Sequence, residues 1–184
     1  MRLTRMMVLG ILLLWLSAFE VQNPVDYILW RPERPLSWTD FKATTVSARP
    51  GVCAVSHLQL FPSYSYNKNG VKYGVECRFI PSKSWVNETG RASAVLLKHE
   101  QGHFDLAEYY ARVLRLTLHR SKLTPQNIRD RVLQLRDSVS TVEDARQELY
   151  DQETELGRSA DRQLDWEQAI KRDLKSLEEY SLER

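Results

Sequence analysis

Residues 94–105 have the sequence AVLLKHEQGHFD. This segment predicts both the central helix of the chain and the location of a candidate site on that helix. Apolar residues recur at steps of three and four along residues 95–117, and this period predicts a long amphipathic helix. His99 and His103 are four residues apart, so both imidazoles project from one face of that helix and could reach one metal ion. Glu100 lies about one hundred degrees round the helix, beside such an ion, where it could accept a proton from a bound water.

A small antiparallel sheet is predicted on the N-terminal side of this helix. Residues 52–61 are rich in β-branched and apolar side chains, and residues 71–79 alternate in polarity, as a strand with one buried face does. The Asn69-Gly70 pair between them suits a tight turn with positive φ. Residues 81–90 are expected to form a loop that leads into the helix.

The two cysteines, Cys53 and Cys77, leave two interpretations open. In an oxidising compartment they could form one disulfide, and they lack the CxxC spacing of a zinc site. A hairpin that turns at Lys68 and Asn69 sets Cys77 opposite Leu60. A disulfide to Cys53 would therefore need another arrangement of strands.

Two further helices are predicted on the C-terminal side. Thr124 and Pro125 supply an N-cap residue and a first helical residue, and an apolar stripe follows at residues 128–149. Gly157 ends this pattern, and the last helix uses the apolar residues of the 164–177 segment. These two helices are expected to form a hairpin.

The length and the charge of the chain limit which folds and which classes of partner are possible. A chain of 184 residues can bury one modest core, so we expect a single α+β domain over residues 21–184. Its parts are a small antiparallel sheet in the N-terminal half, a central metal-site helix and a C-terminal helical hairpin. The 26 basic and 24 acidic residues nearly balance, which argues against a nucleic-acid binder with a concentrated basic face.

The first twenty residues have the pattern of an export signal. Arg2 and Arg5 precede the apolar residues 6–16, and a Ser-Ala pair follows, as in a secretory signal peptide. The apolar run is shorter than the roughly 20 residues of a membrane-spanning helix. An N-terminal anchor that stays uncleaved is the alternative. In either case we expect the rest of the chain in the periplasm or outside the cell, with membrane contact only through residues 1–20.

The HEQGHFD motif, with Glu108 and Ala111-Arg112 beyond it, resembles a bacterial family of unknown function described as secreted zinc-dependent proteases. Other landmarks of the resemblance are Trp38-Thr39-Asp40-Phe41, Ser84-Trp85, Tyr150-Asp151, Thr154, Gly157, Gln163 and Trp166. The resemblance covers nearly all of residues 21–184. It implies a zincin-like metalloprotease domain that binds Zn²⁺ through the two histidines of the motif.

A catalytic zinc usually takes three protein ligands and keeps one open position, so one ligand beyond the histidines is needed. The C-terminal part of the resemblance offers Asp151 and Glu155, which are four residues apart and share one helical face. We expect Asp151 to be the third ligand, with Glu155 and Glu108 as alternatives. The related pattern has a histidine before its glycine, and Leu156 occupies that position here, which removes one candidate ligand.

These residues predict an exported zinc-dependent metallopeptidase that acts on a protein or peptide. A zinc-bound water would attack the amide bond, with Glu100 as general base. The alternative is a non-catalytic, zinc-stabilised envelope protein that serves as a binding module. A ligand histidine could donate a hydrogen bond to Asp105, although an exposed position is favoured for this residue. Tyr150 could donate to an oxyanion, although packing is favoured for its side chain. For His57, a structural or surface role is expected.

Overall fold

A computed structural model of the protein describes residues 26–44, 51–68, 70–91 and 93–182. The α+β prediction is confirmed, with a small antiparallel sheet in the N-terminal half and long helices in the C-terminal half. The strands are β1 (Ile28–Leu29), β2 (Ala54–Val55), β3 (Leu58–Asn67), β4 (Gly70–Phe79) and β5 (Trp85–Val86). The α-helices are α1 (Glu88–Arg91), α2 (Ala94–His119), α3 (Ile128–Glu153) and α4 (Ala160–Ser176), and short 3-10 helices lie at Trp38–Asp40, Pro81–Lys83 and Glu178–Tyr180.

The main sheet has the strand order β1-β4-β3, and its neighbouring strands are antiparallel. Leu60 pairs with Cys77 across β3 and β4, as the hairpin predicts. Gly70 has a φ of 125°, which glycine accommodates at such a turn, while Asn69 lies outside the described residues. Cys77 is buried in the sheet and Cys53 precedes β2, and both are free thiols. The structure therefore contains no Cys53–Cys77 disulfide.

The strand predicted at residues 52–61 and the loop predicted at 81–90 both differ from the structure. Ser56 and His57 interrupt the strand and separate β2 from β3, and β2 pairs with β5 inside the expected loop. Ser84 stabilises this interruption, because its hydroxyl oxygen accepts the backbone N–H of His57 while its hydroxyl donates to a backbone carbonyl. The interruption turns Ser56 toward α2, where it takes part in the candidate site.

The third helix begins at Ile128, about one turn later than the Thr124-Pro125 pair predicts. The side-chain oxygen of Asn127 accepts the backbone N–H of Thr124 at 2.8 Å, and its amide donates to the carbonyl of Lys122 at 3.0 Å. These bonds close a turn over the residues that would otherwise form the first turn of the helix.

The central helix α2 packs against the sheet, α3 and α4. Phe104 of α2 lies 5.9 Å from Phe79 of β4 between ring centroids, and Phe79 contacts Phe41 at 5.1 Å. A second apolar cluster contains Tyr150 of α3 and Trp166 of α4, whose ring centroids are 5.2 Å apart. Burial of such large aromatic side chains is a major favourable term in folding. Because α2 is held from several sides, the directions of its side chains are fixed.

Residues 1–20 lie outside the described residues, so the export signal and the alternative anchor stay predictions. The single domain predicted over residues 21–184 also begins outside the described residues, and its limits stay a prediction. Within the described parts of the chain, no helix combines the length and the apolar character needed to cross a bilayer.

Candidate metal centre

His99 and His103 of α2 and Asp151 of α3, here called the metal group, bring three ligand atoms together. The two Nε2 atoms are 3.1 Å apart, and Asp151 Oδ1 lies 3.0 Å from Nε2 of His99 and 2.9 Å from Nε2 of His103. A tetrahedral zinc-like ion with bonds of about 2.0–2.1 Å separates its ligand atoms by about 3.3 Å. The three atoms are therefore spaced so that they could hold one metal ion with little movement.

Gln147 of α3 determines which nitrogen of His103 carries the proton. Its Oε1 lies 2.7 Å from His103 Nδ1, and its Nε2 donates to the backbone carbonyl of His103 at 3.0 Å. Because a carbonyl only accepts, this second bond orients the amide and turns Oε1 toward the ring. His103 is therefore protonated on Nδ1, and its Nε2 presents a lone pair to the metal group.

Gln163 of α4 and Thr154 act on His99 in the same way. Gln163 Nε2 donates to the Glu167 carboxylate at 3.2 Å, which turns Oε1 toward His99 Nδ1 at 3.3 Å. The Thr154 hydroxyl donates to the Tyr150 carbonyl at 2.6 Å, so a lone pair of its oxygen faces His99 Nδ1 at 3.3 Å. The proton of neutral His99 thus belongs on Nδ1, and its Nε2 is also an acceptor.

Three acceptor atoms therefore meet, an arrangement that repels itself unless a cation lies between them. A proton can be that cation. Burial alone would lower the pKa of His103, but its hydrogen bond to Asp151 and the charges of Glu100 and Asp151 raise it. Burial likewise opposes ionisation of Asp151, yet its hydrogen bonding with His103 and His99 holds the pKa of this carboxyl below its ordinary value. A metal ion would satisfy all three acceptors at once, which one proton cannot do.

A glycine turn directly after α3 allows His99 to fit against the backbone. Gly157 has a φ of 78°, and a Cβ at this position would lie only 2.8 Å from the Cβ of His99. The preceding Glu155 and Leu156 are also left-handed, with φ of 53° and 58°. Such conformations cost non-glycine residues on the order of 1–3 kcal/mol each and tend to cluster at functional sites.

Glu100 lies on the wall of a cleft of about 930 Å³ that the metal group also lines. The cleft runs between α2, α3 and residues 51–60. Glu100 is buried, and the Ser56 hydroxyl donates to its Oε2 at 2.6 Å. This hydrogen bond fixes the direction of the carboxylate beside the metal group.

The alternative third ligands lie elsewhere in the structure. Glu155 is exposed in the left-handed turn after α3, outside the metal group. Glu108 is buried, and its Oε1 lies 2.9 Å from both Arg112 Nε and Arg115 Nη1, so this carboxylate is already paired. Of the three carboxylates considered, Asp151 alone is placed beside both histidines in the described residues.

Tyr150 packs in the core, as the sequence favours, and it is not among the residues that line the cleft, so the alternative role as an oxyanion donor is wrong. Its ring stacks on His99 with centroids 4.6 Å apart, and its hydroxyl donates to the His99 carbonyl at 3.2 Å. The glycine of the motif makes room for this contact, because a Cβ at Gly102 would lie 2.8 Å from Tyr150 Cζ. Tyr150 is fully buried and therefore supports the position of His99.

Asp105 is half-buried, so neither the exposed position favoured for it nor the alternative hydrogen bond with a ligand histidine is found. Asp105 accepts the indole N–H of Trp30 at 2.7 Å and the side-chain amide of Gln101 at 2.7 Å. Gln101 in turn accepts the backbone N–H of Leu36 at 2.7 Å through its Oε1. These two polar residues of the motif therefore hold the N-terminal segment against α2.

Two contributors to the site were not singled out from the sequence. Gln147 is four residues before Asp151, and this spacing, which puts both on one face of α3, is the pattern that could have found it. Ser56 is 44 residues from Glu100 and lies between β2 and β3, where no local pattern indicates its direction. His57, expected to be structural or superficial, also lines the cleft.

Comparison of the chain with protein-family models, with curated proteins and with solved structures gave no match. The functional assignment therefore depends on the geometry of the site and on the motif.

Proposed function

We propose that this chain is an exported zinc-dependent metallopeptidase in which the metal group binds the ion and Glu100 is the general base. The observation that carries the proposal is the meeting of two imidazole lone pairs and one carboxylate oxygen beside Glu100, in an open cleft. The resemblance of the HEQGHFD motif to secreted zinc-dependent proteases supports the same assignment. Export is proposed from the pattern of residues 1–20, and fractionation of cells that express a C-terminally tagged chain tests it.

Zinc suits the ligand set and its surroundings. Two imidazoles with one carboxylate are a common zinc-binding combination, and zinc-ligating histidines usually donate their second N–H to an oxygen acceptor. Gln147 and Gln163 offer such acceptors to His103 and His99. Structural zinc sites are closed by four protein ligands, whereas the group found in the described residues has three members and lines a cleft. This open arrangement favours catalysis over a purely structural role.

In the proposed reaction, the metal group, Glu100 and Ser56 each have a separate role. Zinc in the metal group would polarise the scissile carbonyl and lower the pKa of an attacking water toward neutrality. Glu100 would accept a proton from that water and return it to the leaving amine. Ser56 would keep the carboxylate in place for both transfers through its 2.6 Å hydrogen bond. The cleft, at about 930 Å³, is large enough to take several residues of a peptide.

Replacement of the general base tests this proposal. The zinc-loaded wild-type protein is incubated with a mixed peptide library, and cleavage is followed by mass spectrometry. We expect Glu100→Gln to keep its zinc and to lose about 10²–10⁴-fold in rate, the usual contribution of a general base. Glu148→Gln, on the exposed face of α3, is the matched control and should cleave like wild type. Equal rates for Glu100→Gln and wild type would reject the role of Glu100. Zinc binding without cleavage by any variant would favour the non-catalytic binding module.

A further inference from the structure

The cleft contains one buried carboxyl group that the proposed chemistry does not use. Glu143 of α3 is 9% exposed and lines the cleft. It is four residues before Gln147 and eight before Asp151, so these three side chains form one row along the helix. Eight residues of helix span about 12 Å, which places Glu143 well away from the metal group along the cleft.

No cation within the described residues forms an ion pair with Glu143. Arg136 lines the same cleft but pairs with Asp137 at 2.6 Å. Burial and the nearby charge of Asp144 raise the pKa of Glu143 to about 8, although a hydrogen bond from Gln147 opposes the rise. A buried carboxyl without a cationic partner is costly to ionise. Ionisation of Glu143 therefore becomes favourable only when a cation binds next to it.

The cleft as a whole also favours positive charge. In the described residues, its lining carries five carboxylates against two arginines. The carboxylates are those of Glu100, Asp137, Glu143, Asp144 and Asp151. A metal ion would offset the two carboxylates at the catalytic end, and Arg136 offsets Asp137. Glu143 and Asp144 of α3 then remain, together with Arg158, which follows α3 and whose guanidinium lies next to Gly51.

We propose that Glu143 binds a basic group of the substrate, so that the cleft selects peptides with a lysine or arginine side chain near the cleaved bond. This inference rests on the proposed peptidase function. An extended peptide advances about 3.3 Å per residue, so a basic side chain two or three residues from the cleaved bond can reach Glu143. The arriving cation restores the ionised carboxylate, and the charge-assisted hydrogen bond that forms is stronger than one between neutral groups.

Glu143 could instead have a purely structural role, in which it only supports Gln147 and, through it, His103. The two roles are separated by Glu143→Gln, because glutamine keeps the size and hydrogen-bonding capacity of the side chain but cannot carry a negative charge. A structural role predicts equal effects on all peptides and a change in zinc affinity. A recognition role predicts an effect confined to basic peptides.

Two peptide pools of nine residues test the inference, one with lysine at the centre and one with norleucine, which has similar length but no charge. Binding of each pool is measured with full-length, zinc-loaded Glu100→Gln protein, alone and combined with Glu143→Gln. Cleavage of each pool is measured with the wild type. We expect the lysine pool to bind at least about tenfold more tightly, as for one buried charge pair, and Glu143→Gln to abolish the preference. Glu148→Gln should leave it intact.

The outcomes separate this inference from the proposed function. Equal cleavage of both pools by the wild type would overturn the role of Glu143 and leave the peptidase standing. Lysine-selective binding that depends on Glu143, without cleavage by the wild type, would support the inference and count against the peptidase. A lysine preference that survives Glu143→Gln, or no binding of either pool, would overturn the inference. Zinc content and circular dichroism of each variant confirm that it is folded.

Discussion

The helix α2 carries two clusters of buried polar residues that differ in how their charges are balanced. In the metal group, the three atoms that point inward are all acceptors. One turn beyond the motif, Glu108 meets Arg112 and Arg115, here called the Glu108 network, and its Oε1 lies 2.9 Å from a nitrogen of each arginine. The first cluster therefore has too few donors, and the second is satisfied.

Both arginines of the Glu108 network also donate to backbone carbonyls. Arg112 donates to the Leu174 carbonyl at 2.6 Å, and Arg115 donates to the carbonyls of Val75 at 2.9 Å and Tyr180 at 2.8 Å. The network thus fastens the end of α4 and the segment after it to the central helix. The comparison shows that burial of charge alone does not identify a binding site. A binding site is indicated instead by several hydrogen-bond acceptors that converge on one point without enough donors.

Breaking the Glu108 network should give the largest effect on stability. Glu108→Gln leaves two buried arginines without their counter-charge, which costs about 3–5 kcal/mol in the free energy of unfolding. Urea unfolding of the metal-free protein measures this loss, with Asp165→Asn in an exposed ion pair as the control. The zinc content of folded Glu108→Gln should equal that of wild type. A loss of zinc from this variant would show that the two clusters are not independent.

Two glycine substitutions separate backbone strain from crowding at the metal group. Gly157→Ala places a Cβ 2.8 Å from His99, and Gly51→Ala places one 3.5 Å from the Arg158 guanidinium, while both positions have left-handed φ. Gly51→Ala should cost about 1 kcal/mol in unfolding free energy from strain alone. Gly157→Ala should cost about 3 kcal/mol and weaken zinc binding, since crowding is added. Equal costs in the two variants, with unchanged zinc affinity, would contradict the role of Gly157.

Removal of the acceptor on His103 should weaken zinc binding without abolishing it. Gln147→Met keeps the length of the side chain but no longer accepts the Nδ1 proton at 2.7 Å. Loss of such an outer partner usually costs about 10–100-fold in metal affinity. Competition with a chromophoric chelator measures the affinity, and Gln152→Met on the exposed face of α3 is the control. Unchanged affinity in Gln147→Met would contradict the tautomer assigned to His103.

The smallest effect concerns the pH dependence of the metal-free protein. The folded-state pKa of His103 is raised above the ordinary value of 6.5, so the ion pair of His103 with Asp151 stabilises the fold fully below that pH. The stabilisation is lost as the pH rises through the raised pKa. Unfolding free energies of wild type and His103→Gln should therefore converge as the pH rises above 6.5. A difference that grows with pH would contradict the sign of this shift.

The motif itself could be assigned from the sequence because helical spacing is a local property. His103 follows His99 by four positions, and any α-helix places both on one face. The hairpin register was predicted for the same reason, since alternation and a glycine turn set Leu60 opposite Cys77. Asp151 was expected through the family resemblance, and local spacing alone left Glu155 equally open.

The rest of the site depends on contacts between elements that are distant in the chain. Ser56 reaches Glu100 from the link between β3 and β2, and β2 pairs with β5 in a separate two-stranded sheet. Packing was the favoured prediction for Tyr150, but its partners Gly102 and His99 could not be named, because they depend on how α3 crosses α2. Asp105 was misjudged because its donors, Trp30 and Gln101, come partly from the N-terminal segment. No periodicity in the sequence encodes such tertiary contacts.

Metal content, measured by elemental analysis of the purified protein after incubation with zinc and removal of the excess, tests the central claim most directly. The metal group predicts about one zinc per chain in wild type and in Glu155→Gln. It predicts loss of that zinc in His103→Ala and Asp151→Ala. Absence of zinc from the wild type, or retention of a full equivalent in Asp151→Ala, would contradict the claim that these three acceptors form a metal site.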